Sequence, residues 1–106
     1  MDSKNFFKER RNQKRFKQKS IIKINGKEAF LSEISENGLR VAVLIVPDKE
    51  IFSVELSIAG KIFDLSGKLV WKGNSKSYTG LYDIGISIEV PPKRYVKFIS
   101  SLDEES

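Results

Sequence analysis

Residues 51–61 read Ile51-Phe52-Ser53-Val54-Glu55-Leu56-Ser57-Ile58-Ala59-Gly60-Lys61, and this stretch decides the fold class. Phe52, Val54, Leu56 and Ile58 fall on one side of an extended chain, Ser53, Glu55 and Ser57 on the other. Strict alternation of this kind predicts a half-buried strand. Ala59-Gly60 then turns the chain, and Lys61–Trp71 continues as a long strand with a bulge expected at Ser66-Gly67. Working back, Pro47-Asp48-Lys49-Glu50 is a turn, and Leu39–Val46 is a nearly continuous apolar run, expected to be buried on much of both faces. Ser20–Ile24 and Lys27–Ile34 flank Asn25-Gly26, the strongest hairpin signal in the chain, because a type I′ turn needs positive φ at both central positions. Asn37-Gly38 is expected to be a second positive-φ site.

Working forward, polar Lys72–Thr79 is read as a loop. Gly80–Val90 is the last strand, with Leu81, Ile84, Ile86 and Ile88 facing inward, and Pro91-Pro92 stops it. Pro92–Leu102 predicts a short helix with Val96, Ile99 and Leu102 on one face, and residues 103–106 a frayed acidic tail. Five or six strands with turns about every eight to twelve residues predict a mainly all-β domain, a small antiparallel barrel, since closure protects strand edges. The chain therefore divides into a flexible basic arm over 1–19, a barrel with its C-terminal helix over 20–102, and the tail.

Composition narrows the chemistry. The 106 residues include no cysteine and no histidine. Disulfides, thiolate metal sites and thiol nucleophiles are excluded, and so is the usual general base near neutral pH. A binding protein is expected rather than an enzyme. No apolar run approaches the roughly 20 residues needed to cross a bilayer. No signal-peptide pattern opens the sequence, because Phe6-Phe7 sits among charges, so no membrane insertion and a cytoplasmic location are expected.

The net charge of +5 is unevenly spread. Residues 1–23 carry nine Lys/Arg against Asp2 and Glu9, or +7; residues 24–106 carry ten against twelve, or −2. A basic arm on a nearly neutral body points to a polyanionic partner. Within the arm, Arg10-Arg11-Asn12-Gln13-Lys14-Arg15 contains Arg-x-x-x-Arg. Beyond the first hairpin, Glu33-Ile34-Ser35-Glu36-Asn37-Gly38 sets a carboxylate, a hydroxyl and a glycine at fixed offsets. Guanidinium forks suit phosphates and purine edges. The second motif offers acceptors, a hydroxyl and a tight backbone turn, and together the two suggest a site for an anionic nucleotide. Alone, either motif is an ordinary tail or an ordinary hairpin connection.

In this order, with eighteen positions from Arg15 to Glu33 and a barrel around them, the chain resembles the PilZ domain family. That family pairs Arg-x-x-x-Arg with Asp/Asn-x-Ser-x-x-Gly. The resemblance spans roughly residues 9–90 and extends to Gly38-Leu39, Gly67-Lys68-Leu69-Val70-Trp71 and Gly85-Ile86-Ser87-Ile88. It implies a six-stranded β-barrel of PilZ type that binds cyclic di-GMP and signals to a downstream protein partner through a change of conformation. Carried over by position, Arg11 and Arg15 grip phosphates and guanine edges, Arg10 adds charge or stacks, Ser35 and Gly38 line the barrel-side surface, and Glu33 accepts from a guanine. Glu33 departs from the family's Asp or Asn by one methylene, which predicts weakened binding. Ile88 replaces a frequent aromatic.

Two other readings stand beside this one: a nucleic-acid-binding small barrel with its arm on phosphates, and a degenerate PilZ-like module that binds only proteins. The strands lack the exposed aromatic ladder that oligonucleotide-binding barrels use. Trp71 is expected in the barrel core or rim, and Tyr78 and Tyr82 either stack on a base or are exposed. Asp64 and Asp83 belong to no recognisable constellation, and Lys93-Arg94 is expected on the solvated helix face.

Overall fold

The computed structural model describes residues 20–104. Six antiparallel strands close into a barrel: β1 (Ser20–Ile24), β2 (Lys27–Ile34), β3 (Gly38–Val43), β4 (Ile51–Ile58), β5 (Lys61–Asn74) and β6 (Tyr82–Glu89). The order around the barrel is β1-β2-β3-β6-β5-β4, and β1 closes it by pairing with β4. One helix, α1 (Lys93–Glu104), follows. It runs two residues past the expected end at Leu102.

Two hairpins form at the expected turns. Asn25 and Gly26 take φ of 52° and 83°, Ala59 and Gly60 take 53° and 77°. Such turns match the right-handed twist of the strands they join. Asn25 also ties β1 to β4, since its backbone N–H donates to the Ser53 carbonyl at 2.9 Å and its Oδ1 accepts from the Ser53 N–H at 3.1 Å.

The alternation in β4 is realised as read: Phe52, Val54, Leu56 and Ile58 are all buried. They meet Ile22 and Ile24 of β1, Phe63 and Leu65 of β5, and Ile84, Ile86 and Ile88 of β6. Fully burying an aliphatic or aromatic side chain of this size stabilises by about 1.5–3 kcal/mol. Gly67 sits in this interior, paired with Phe52 and Ile88 without a bulge. Its missing side chain makes room, because a Cβ there would stand 2.7 Å from Cγ2 of Ile86.

Three expectations are corrected. Strand β3 ends at Val43, and Leu44 and Ile45 are exposed, because the chain must leave β3 and cross to β4, which is not its neighbour. Strand β5 runs on to Asn74, three residues beyond its expected end at Trp71. On α1 the buried face is Tyr95, Phe98 and Ile99 with Leu102 packed against the core, so it centres on a tyrosine that the apolar periodicity did not include. Tyr95 and Phe98 meet Phe63 at ring-centroid distances of 5.5 and 5.3 Å, which seats the helix over the barrel end where β5 begins. Arg94 lies over the Phe63 ring at 4.7 Å and donates to the Ile62 carbonyl at 3.2 Å, so it is tied to β5 although exposed.

Candidate functional site

Two bulges build the outer face that carries the site. In β2 the register shifts between Leu31 and Glu33. Two residues apart on a regular strand, these side chains would share a face. The extra residue lets Leu31 pack against the core while Glu33 pairs with Arg40, whose neighbours Leu39 and Val41 are fully buried. Glu33 is thereby turned outward. In β5 the register shifts between Leu69 and Trp71. Leu69 packs against the core, and Trp71 is turned out to pair with Gly85. Re-aiming one side chain is what a bulge does to a strand.

The two shifts align one row across four strands: Glu33 on β2, Arg40 on β3, Gly85 on β6 and Trp71 on β5. Gly85 is required at its place in the row. A Cβ there would come within 2.2 Å of Nε1 of Trp71, so the indole lies directly over the glycine. The Arg40 guanidinium stands 5.5 Å from the centre of that ring, within cation–π range. Its Nη1 is 3.9 Å from Oε2 of Glu33, and its Nη2 is 3.6 Å from Oδ2 of Asp83. Neither contact is short enough for a hydrogen bond. One cation therefore serves two carboxylates. Oε1 of Glu33 is buried and has no hydrogen-bond partner among the described residues.

The loop between β5 and β6 supplies the opposite wall. Tyr78 stacks on Phe30 of β2 with centroids 4.9 Å apart and planes 13° from parallel. The loop is fastened by the Tyr78 N–H donating to Oγ of Ser75 at 3.0 Å and by the Ser75 N–H donating to the Leu81 carbonyl at 3.0 Å. Between loop and sheet lies a cleft of about 420 Å³, lined by Ser20, Leu31, Ser32, Glu33, Arg40, Ser77, Tyr78 and Asp83. That volume lies in the usual range for small-ligand sites.

The remaining motif residues take different places. Ser35 is buried, its N–H donates to the Gly38 carbonyl at 2.9 Å, and its Oγ reaches the same oxygen at 3.3 Å. Its hydroxyl is engaged inside the turn. Gly38 opens β3, paired with Ser87, and neither it nor Asn37 has positive φ, which corrects that expectation. The turn is anchored from outside: the Asn37 carbonyl accepts from the Ile88 N–H at 2.8 Å, the Ser35 carbonyl accepts from the Tyr95 hydroxyl at 2.7 Å, and Oε2 of Glu36 accepts from Oγ of Ser100 at 3.4 Å. Burial first, and the Glu36 carboxylate second, raise the Tyr95 phenol above the ordinary tyrosine value. Glu33 thus enters the cleft, while Ser35 and Gly38 form the frame behind it. Arg10, Arg11 and Arg15 lie outside the described residues.

Arg40 carries no expectation from the sequence, and Asp83, expected to belong to no constellation, stands beside Arg40 in the cleft. Arg40 is the one charged residue in the Leu39–Val46 run, a signal visible in the sequence. Asp83 gains its meaning only from the β3–β6 register. Tyr78 lines the cleft, and Tyr82, 42% exposed, does not. Among the described residues no group of three or more His, Cys, Asp and Glu is arranged to hold a metal ion, and no helix is long and apolar enough to cross a membrane.

Neither a protein-family model nor a curated protein matches this sequence. The fold is similar to that of an uncharacterised Legionella protein of known crystal structure, with a TM-score of 0.65 over 88% of this chain and 91% of that one. At 14% identity the likeness is one of fold alone.

Proposed function

We propose that this protein is a non-catalytic receptor for cyclic di-GMP, of PilZ type and acting in the cytoplasm, which closes its basic arm over the nucleotide and signals to a partner protein. The observation that carries the reading is the Glu33 carboxylate. It has one buried oxygen without a partner among the described residues, beside a cleft that is also lined by Ser20, the first described residue after the arm. A guanine offers two donors on its Watson–Crick edge, N1–H and the N2 amino group, and a carboxylate accepts both.

The arm supports the same reading through chain length. Arg15 precedes Ser20 by five residues, and five residues span at most about 17 Å. Chain length therefore allows the Arg15 guanidinium to reach the cleft, and Arg11 is four residues further along the chain. Arginine forks bind phosphate oxygens and guanine edges bidentately, which lysine does less well. Fixing the backbone of the arm on the nucleotide costs entropy, which charge-assisted bonds to the nucleotide offset. The closed arm presents a new surface, the signal a partner reads.

Isothermal titration of the full chain with cyclic di-GMP at low salt tests the proposal. Binding is expected, lost on Arg11→Ala and on Arg15→Ala, and retained or tightened on Glu33→Asp. A wild-type chain that releases no heat of binding and does not displace a labelled nucleotide would overturn it.

A further inference from the structure

We propose that Arg40 is a specificity-determining residue of this cleft, and that with Glu33 it forms a reader for guanine as against adenine. The inference rests on the cyclic di-GMP reading above and assigns a role to a residue outside both motifs.

Arg40 projects from the middle of β3 beside Glu33, with its Nη1 3.9 Å from Oε2. The two groups stand side by side without a hydrogen bond between them, and so does Arg40 with Asp83 at 3.6 Å. Two carboxylates and an indole face hold the guanidinium in place, while its N–H donors make no hydrogen bond among the described residues. Its side chain is 39% exposed, so the donors are open to a ligand. Glu33 brings the complementary shortage, a buried oxygen without a donor.

A turn of the Glu33 carboxylate that brings Oε1 out into the cleft would set acceptor, acceptor and donor in sequence, Oε2 being the oxygen nearer the guanidinium. The Watson–Crick edge of guanine presents N2–H donor, N1–H donor and O6 acceptor, the complement in the same order. Adenine presents an N6 donor beside an N1 acceptor. Its N1 lone pair would face the carboxylate, and the guanidinium would be left against an amino group. Glu33 alone can hold the two guanine donors. Recognition of O6, the atom at which the two purines differ in sign, falls to Arg40. Asp83 is a positioning residue that holds the guanidinium from the side away from Glu33.

Cyclic di-GMP, cyclic di-AMP and the mixed guanine–adenine cyclic dinucleotide would be titrated into the wild-type chain, Arg40→Met and Arg40→Lys. Arg40→Met keeps length and removes every donor, and Arg40→Lys keeps the charge without the fork. The wild-type chain is expected to prefer cyclic di-GMP over cyclic di-AMP, with the mixed nucleotide between. Arg40→Met should weaken cyclic di-GMP by about 10- to 100-fold, the range of one charge-assisted hydrogen bond, and narrow the guanine-to-adenine ratio. Arg40→Lys should recover part of the affinity and little of the ratio. Folding of each variant is checked by far-ultraviolet circular dichroism and by its urea midpoint, because Arg40 lies over the ring of the single tryptophan. Wild-type affinity and ratio in both variants would remove the role of Arg40 and leave the receptor intact. A wild-type chain that binds none of the three would remove the receptor reading and this inference with it.

Discussion

The Tyr95 hydroxyl donates to the Ser35 carbonyl across 2.7 Å, a buried bond between residues 60 apart in sequence. It joins the helix to the turn behind Glu33, so the candidate site and α1 share one hydrogen-bonded frame. Tyr95→Phe keeps the ring against Phe63 and deletes the donor, leaving a buried carbonyl unpaired. The expected loss is about 1–3 kcal/mol. In a domain of this size that lowers Tm by several degrees. Urea unfolding followed by circular dichroism measures it, and a loss below about 0.5 kcal/mol would mean that the bond is replaced in solution.

The same phenol makes stability depend on alkaline pH. Its proton is held more tightly in the folded chain, because burial disfavours phenolate and the nearby Glu36 carboxylate opposes a second negative charge. The unfolded phenol titrates at about 10. Below that pH both states keep the proton and the contribution of the bond is complete. Above it the unfolded chain releases a proton that the folded chain retains, so stability falls as pH rises, at up to about 1.4 kcal/mol per pH unit from this group. Urea midpoints of wild type and Tyr95→Phe, compared between pH 8 and pH 11, should therefore converge at the alkaline end. Parallel curves across that range would show that Tyr95 titrates normally.

The barrel is legible in the sequence where local chemistry decides the outcome. The alternation of Phe52, Val54, Leu56 and Ile58 and the turns at Asn25-Gly26 and Ala59-Gly60 need no knowledge of partners. The site is less legible, because it is made by register. Ser32 and Val70 carry no mark of a bulge, yet the shifts there decide that Glu33 and Trp71 face outward beside Arg40. A bulge expected at Gly67 is absent because that glycine answers to side chains of β4 and β6, which a reading of β5 alone does not contain. Tyr95 escaped the helix periodicity because its ring is core and its hydroxyl is polar, and only the turn it caps explains both. Ser35, read as part of a ligand surface, has its hydroxyl directed to Gly38 within the turn.

Gly85 and Gly67 allow the outer row and the interior to be perturbed separately. A Cβ on Gly85 would stand 2.2, 2.6 and 2.8 Å from three atoms of the Trp71 indole, and an indole is too rigid to absorb this by a small bend. The ring must leave the barrel surface. Since it is half-buried at the outer face, its departure costs little core packing but exposes the indole to water and removes one support of Arg40. Gly85→Ala should therefore shift the emission of the single tryptophan to the red with a small loss of stability and, on the receptor reading proposed above, weaken the binding of cyclic di-GMP. Gly67→Ala meets the other case. Its Cβ would press on Ile86 at 2.7 Å, Phe52 at 3.0 Å and Val54 at 3.1 Å, all within the barrel. Overpacking of that kind costs typically about 1–3 kcal/mol. Its expected signature is a lower urea midpoint with tryptophan emission unchanged. Fluorescence and urea titration on the two variants separate the cases, and unaltered emission from Gly85→Ala would show that the indole does not rest on Gly85 in solution.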